Sequence, residues 1–402
     1  MDFTPILDAL GASFTAALGG LVVGTLFGVF AQRSRFCLRA AVVEFSRGSV
    51  GVKTSVWFIA FAGAVLFTQA LIVLGALDVS ESRQMASVGS LSGAIVGGLV
   101  FGFGMILTRG CPSRLLVLSA NGNLRALLSG LIFAVAAQMT LHGALAPLRS
   151  DIARWWVVEE ASTRNLLTLS GLGPAGGPVL GVLFMVGAVY FALRNRLSPW
   201  VWVGGLGVGA MIAAAWWVTY SLSWQAFDPV PVQGISFTGP SADTLMILLE
   251  PPGQFVNFGI GLVPGVFLGS FLAAWLAGDL KLEGFTGGYG MRRYILGAVM
   301  MGMGGMLAGG CAVGAGVTGG AVFALTAWVA LFFMWVGAAA ADLMVDRWGL
   351  ILRDQAADTE NAAALAQARR GWTFLPVLRR GCRFTEGMED GGRMPPTPEH
   401  RA

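Results

Sequence analysis

Gly97-Gly98-Leu99-Val100-Phe101-Gly102-Phe103-Gly104-Met105-Ile106-Leu107-Thr108-Arg109-Gly110-Cys111 decides the fold, because the chain repeats it. The second copy runs Gly297-Ala298-Val299-Met300-Met301-Gly302-Met303-Gly304-Gly305-Met306-Leu307-Ala308-Gly309-Gly310-Cys311. At a constant offset of 200 residues, three glycines, a leucine and the closing Gly-Cys coincide. Each copy is an apolar run of bilayer length that ends in a turn carrying a thiol. Two copies of one cysteine turn within a bilayer imply a duplicated pathway for something that thiols recognise.

The rest of the chain supports a membrane setting. Of 402 residues, 55% are hydrophobic and 12% charged, against roughly 25% charged in soluble proteins. The pattern predicts an all-α polytopic membrane protein with about nine spans. Their expected cores are 13–32, 53–77, 91–108, 124–148, 178–195, 200–222, 255–277, 293–317 and 321–345. The 58 glycines suit close helix approach and broken helices lining a pathway. A net charge of +4 reflects basic loops and a basic tail, not nucleic-acid binding. Asp2 and Asp8 before the first apolar run argue against a signal peptide.

Arg33, Arg35, Arg39, Arg47 and Lys53 follow the first span; Arg109, Arg114 and Arg125 the third; Arg194 and Arg196 the fifth; Lys281, Arg292 and Arg293 the seventh. By the positive-inside rule these loops are cytoplasmic, so the N-terminus is expected outside and the C-terminus inside a bacterial inner membrane. The segment Arg149 to Arg164, of mixed charge, reads as an outer loop. Trp155, Trp156, Trp216, Trp217 and Trp224 read as interfacial belts.

Three apolar pieces, Cys37 to Phe45, Pro112 to Ser119 and Ala312 to Gly320, are too short to span and each starts at or just after a cysteine. They are expected to be re-entrant helices, the broken elements that mark transporter sites. The two Gly-Cys copies fall on spans of opposite direction, as a pseudo-symmetric inverted repeat requires. A weaker echo, Gly24-x-x-x-Gly28 against Gly261-x-x-x-Gly265, does not invert. The expected organisation is a transport domain over 1–350, with halves near 13–148 and 178–348, and a polar cytosolic tail over 351–402. Within the tail, Asp354 to Arg370 suits a short helix and Gly381 to Ala402 suits disorder.

The thiols suggest a chemistry. A bare anion entering an apolar medium meets a large desolvation cost. Neutral donors and helix N-termini offset it without trapping the ion. A helix starting at Pro112 suits this, since proline fits the first helical position. A neutral thiol is a weak, polarisable S–H donor matched to a soft, sulfur-bearing anion, whereas a thiolate would repel it. Cys37, Cys111 and Cys311 are therefore candidate stations, with Gly110, Gly309 and Gly310 permitting close backbone approach. A buried cysteine more often serves as a small hydrophobe. The repeat favours function for Cys111 and Cys311; Cys37 has no visible repeat partner, and spacing leaves it open between the two. Cys382, among Arg379, Arg380 and Arg383, reads as a plain cytosolic thiol.

Several stretches resemble the YeeE/YedE family of bacterial sulfur transporters: Ser34-Arg35-Phe36-Cys37, Gly110-Cys111-Pro112-Ser113-Arg114-Leu115-Leu116-Val117 with Gly122-Asn123-Leu124-Arg125, Ser236-Phe237-Thr238-Gly239-Pro240, and Leu307-Ala308-Gly309-Gly310-Cys311-Ala312-Val313-Gly314-Ala315-Gly316. The resemblance covers most of 13–348. It implies an hourglass-shaped protein that takes up thiosulfate, with Cys37, Cys111 and Cys311 passing the ion by S–H hydrogen bonds. It further implies a TusA-like cytosolic sulfur-carrier partner, although no Cys-Pro-x-Pro carrier motif is fused here. Some relatives are associated with selenium, so selenium or other sulfur species remain alternatives. Thr108-Arg109 departs from the family's small-residue approach, leaving Arg109 either an anion attractor or a snorkelling residue.

Two other classes fit less well. A membrane dithiol or persulfide redox protein needs paired thiols in disulfide reach, and there is no Cys-x-x-Cys. A soft-metal channel is suggested by Met300, Met301, Met303 and Met306 near Cys311, but helical spacing reads as packing. His142 reads as an interface hydrogen bonder, and Asp243 and Glu250 as caps or solvent-facing groups outside. No metal, cofactor or enzymatic activity is expected; the partners are a small sulfur anion and the lipid bilayer.

Overall fold

The computed structural model describes residues 4–249, 256–284 and 288–347. The expectations for the tail, for Cys382 and for Glu250 lie outside the described residues. Among those described, nine helices are long and apolar enough to cross a bilayer.

After a short turn of helix at Thr4–Leu10, the chain forms α1 (Ala12–Ser34), the short α2 (Leu38–Ser46), α3 (Val52–Val73), α4 (Leu91–Leu107), the short α5 (Pro112–Ala120) and α6 (Leu124–Leu141). It continues with α7 (Gly173–Arg194), α8 (Pro199–Gln225), α9 (Thr238–Leu249), α10 (Phe258–Ala277) and α11 (Gly288–Leu307). A π-helical segment, α12 (Ala312–Thr318), precedes α13 (Leu325–Ala341) and a second π-helical turn, α14 (Asp342–Arg347). A two-stranded antiparallel pairing of Gly89–Ser90 with Val157–Val158 sits on one face.

Three expected spans change at their ends. The span expected over 124–148 stops at Leu141, and a separate helix, Ala146–Arg154, follows within the expected outer loop. The span over 293–317 stops at Leu307, because Gly309 turns left-handed (φ 81°). The last span starts at Leu325, after Phe323 turns at φ 56°. Hydropathy does not register these breaks, since the residues on both sides are apolar.

Glycines set the helix pairing. On α1, a Cβ at Gly20, Gly24 or Gly28 would meet the backbone at Phe258, Leu262 or Val266 of α10 in turn. On α10, Gly261, Gly265 and Gly269 lie against the carbonyls of Ala17, Leu21 and Thr25. Both series ascend together, so α1 and α10 run parallel with interlocked small-residue faces. Gly97 of α4 faces Gly304 and Ala308 of α11, while Gly104 faces Gly297 and Met301. Those partners descend, so the two helices that carry the Gly-Cys turns cross antiparallel. The weaker glycine echo that failed to invert is therefore a packing seam between parallel helices. All the pair directions agree with strict alternation of the nine spans.

Trp216, expected in an interfacial belt, is fully buried, and its Nε1 approaches Gly234 beside Thr318. Trp155, Trp156 and Trp224 are exposed. The difference lies in tertiary packing: Trp216 is covered where the extended chain 226–237 folds back against α8. That extended chain is held by Thr219, whose hydroxyl donates to the Gln233 carbonyl at 2.7 Å and accepts its N–H at 3.1 Å.

Candidate functional site

The three cysteines occupy one backbone device. Each follows a long helix that ends on a left-handed residue, then one spacer, then the cysteine as N-cap of a short helix. The left-handed residues are Arg35 (φ 53°), Arg109 (φ 58°) and Gly309 (φ 81°). The spacers are Phe36, Gly110 and Gly310, and the caps are Cys37, Cys111 and Cys311, in extended conformation. At Cys311 the sulfur accepts the Gly314 N–H at 3.4 Å. The N–H groups of Ala40 and Arg114 approach Cys37 and Cys111 in the same way, without closing a full cap hydrogen bond. Each thiol thus sits at the positive end of a short helix, beside N–H groups of its first turn.

The two glycines before Cys311 do different work. Gly309 supplies the left-handed dihedral. At Gly310 a Cβ would stand 2.7 Å from the Ala315 nitrogen, so only glycine lets the short helix fold back this tightly. Gly110 meets the movable end of Leu115 at 3.2 Å and not backbone. The exposed Arg109 occupies the place that Gly309 takes in the other copy.

The thiols form two groups. Cys37 and Cys111 are neighbours close enough to influence each other electrostatically, where α1 and α4 end. Cys111 Sγ also lies 3.3 Å from the Ser113 hydroxyl. Cys311 enters from the opposite face. Cys111 and Cys311 are buried, Cys37 half-buried, and all three are free.

Fully buried rings pack on the helices that carry the thiols. Phe27 of α1 packs on Phe237 with centroids 5.6 Å apart, and Phe101 of α4 borders Gly305 and Thr238. Phe27 and Phe101 each stand ten residues before their cysteine. The extended chain before α9 completes this layer. Ser236 presses on Gly314, and Thr318 donates to the Ile235 carbonyl at 2.7 Å.

On the Cys311 side a cavity of about 780 Å³ opens outward, bordered by Gly309, Gly310, Gly314, Ser236, Thr238, Asp243 and Arg149. The Thr238 hydroxyl and Arg149 Nε are buried without hydrogen-bond partners. Asp243, expected as a cap or solvent-facing group, lines this cavity from α9. Burial pushes its carboxyl pKa up, against the opposing pull of its Asn257 hydrogen bond and of nearby His142. Ser90 and Ser92 hold the cavity's outer helix by donating to the carbonyls of Ala153 (2.8 Å) and Ile152 (2.6 Å).

On the Cys37–Cys111 side the surroundings are strongly basic. Arg39 and Arg114 lie within electrostatic reach of the Cys37 sulfur. Asp346 of α14 pairs with Arg293 at 2.8 Å and Arg39 at 3.7 Å. The fully buried Asp342 pairs with Arg47 at 3.0 Å and Arg347 at 3.5 Å. Sequence reasoning passed over Arg39 and Arg114 as loop charges and missed the kinship of Cys37 with the other turns. The signal was masked because Phe36, not glycine, precedes Cys37, so no Gly-Cys pair marks this turn, whose left-handed position is held by Arg35 as it is by Arg109 in the second. Such a residue costs about 1–2 kcal/mol, which the surrounding fold sustains.

Among the described residues, nine apolar helical spans around thiol-capped breaks define a multi-pass membrane protein with a buried thiol-bearing site. The family model described as Sulphur transport, which covers the YeeE/YedE proteins, matches residues 33–340, and the chain belongs to that family. It is 26% identical over 360 residues to the Thiosulfate transporter TsuA of Escherichia coli (strain K12), covering 83% of this chain and 95% of that protein. It is 27% identical over 346 residues to the Thiosulfate transporter TsuA of Spirochaeta thermophila, covering 79% and 96%.

Proposed function

We propose that this protein carries thiosulfate, or a closely related sulfur oxyanion, across the bacterial inner membrane by handing it between neutral thiols. The observation that carries the reading is the left-handed turn ending in an N-cap cysteine, present at Cys37, Cys111 and Cys311. The names of the two relatives supply the ion. Cys311, directly after the cavity-lining Gly309 and Gly310, is the entry station. Cys111 and Cys37 together form the exit station, and Gly110, Gly309 and Gly310 shape the turns that present the thiols.

Helix N–H groups bind the oxygens, while S–H donors meet the soft terminal sulfur. A neutral thiol binds the ion weakly enough to pass it on. No bond of the ion is made or broken, so the role is transport and not catalysis. The basic face holding Cys37 and Cys111 is the cytoplasmic one by the positive-inside rule, which puts the N-terminus in the periplasm. A TusA-like sulfur carrier on that side fits as recipient.

The test is uptake of labelled thiosulfate by liposomes holding the purified protein. Wild type is expected to take it up, and Cys111→Ala and Cys311→Ala to abolish uptake. Full uptake by both variants overturns the relay. Wild-type uptake of selenium compounds but not thiosulfate overturns the ion.

The proximity of Cys37 and Cys111 favours one second reading, dithiol exchange. There, two thiols would give two electrons and two protons to a disulfide substrate. Serine separates the readings: it donates a hydrogen bond but cannot form a disulfide. A relay predicts slowed uptake by Cys37→Ser and Cys111→Ser, whereas dithiol exchange predicts none.

A further inference from the structure

The charged groups around the paired thiols have no part in a relay of neutral donors. Arg39 stands two residues after Cys37, and Arg114 three after Cys111, each in the first turn of the short helix that its cysteine caps. That is an unfavourable place for a cation, because the helix dipole is already positive there. Two such guanidiniums beside two neighbouring thiols concentrate positive charge at one spot. Arg114 Nη1 and Arg39 Nε are buried and lack hydrogen-bond partners. Buried polar groups are ordinarily satisfied, so an orphaned guanidinium N–H beside a pathway points to an absent acceptor.

The nearest counter-charge is Asp346, and it is divided. It holds Arg293 at 2.8 Å, and Arg293 is fixed further by donating to the Ile106 carbonyl at 3.2 Å. Its grip on Arg39 is looser, at 3.7 Å.

We infer that Arg39, Arg114 and the thiols of Cys37 and Cys111 form a cationic station for a dianion, and that Asp346 is its release element. The inference rests on the transport reading above. Guanidinium donors take the oxygens of the ion, and the thiols face its soft end. On arrival the ion draws Arg39 away from Asp346; on departure Asp346 reclaims it. Without that competitor, two arginines would hold the ion and stall exit.

The experiment compares wild type, Asp346→Asn, Asp346→Glu and Arg114→Gln in thiosulfate uptake by liposomes. Thermal stabilisation of each detergent-purified protein by thiosulfate is measured in parallel. Asp346→Asn should lower KM and kcat together, each about fivefold, as loss of one partly exposed competing ion pair allows. It should also strengthen the stabilisation. Asp346→Glu should restore wild-type behaviour, and Arg114→Gln should raise KM and remove the stabilisation. An Asp346→Asn protein whose KM is unchanged or raised overturns the release role. Wild-type protein that thiosulfate does not stabilise overturns the station. Stabilisation that needs Arg114, without wild-type uptake, upholds the station and overturns the transport reading.

Discussion

At the scale of single residues, the cysteine turns show how little chemistry separates a packing thiol from a functional one. A cysteine in a helix interior would be a small hydrophobe. Here a left-handed residue two positions earlier moves each thiol to a helix start, beside the N–H groups of the first turn. The turns differ in tolerance. A side chain at Gly310 must displace the backbone at Ala315, while one at Gly110 displaces only the end of Leu115. Gly310→Leu is therefore expected to abolish thiosulfate uptake in protein that still inserts and elutes as folded. Gly110→Ala should keep at least about half the uptake, since movable side chains absorb small overpacking at modest cost. Equal activity of the two variants would separate the thiol stations from the backbone turn.

Among elements, the decisive contact is the seam between α1 and α10. In lipid no hydrophobic force draws helices together, so close backbone approach and van der Waals contact must do so. The alternating glycines of α1 and α10 lie against each other's carbonyls, which leaves no room for a side chain. Gly261→Leu should lower the thermal unfolding temperature in detergent sharply, because its Cβ would fall on the Ala17 carbonyl. Gly187→Leu, on α7 with nothing within 4 Å of its Cβ position, should leave that temperature unchanged. A similar loss from both would reduce the seam to ordinary helix propensity. The short helices depend on the same economy. α4 has 17 residues, about 25 Å of helix, less than the roughly 30 Å of hydrocarbon. α4 is therefore shorter than a full crossing, and the chain continues at Cys111 into α5.

For the whole molecule, strict alternation of nine spans separates two faces of different charge. One carries Arg33, Arg35, Arg47, Lys53, Arg109, Arg125, Arg194, Arg196, Lys281 and Arg292. The other carries Arg149, Arg154 and Arg164 beside Asp78, Glu81, Asp151, Glu159 and Glu160. In a Cys382→Ser background, a membrane-impermeant maleimide applied to spheroplasts should label Leu148→Cys and not Ser49→Cys, two exposed positions on opposite faces. The reverse labelling pattern would invert the molecule and with it the direction of passage from Cys311 to Cys37.

Apolar length and glycine spacing alone specify a helical membrane protein, the cores of its spans, and the turn that Cys111 and Cys311 share. Those properties are local: apolar length, loop charge and glycine spacing act within one segment. The short helices after the three cysteines were legible for the same reason. Only the tertiary structure decided that Cys37 neighbours Cys111, that Trp216 is core and not belt, and that Arg39 and Arg114 flank the thiols. Each is a contact between helices distant in sequence, set by which glycine faces interlock. The third cysteine turn stayed hidden because Phe36 stands where Gly110 and Gly310 precede the other two cysteines, and the left-handed dihedral shared by Arg35, Arg109 and Gly309 belongs to the backbone and not to one residue type.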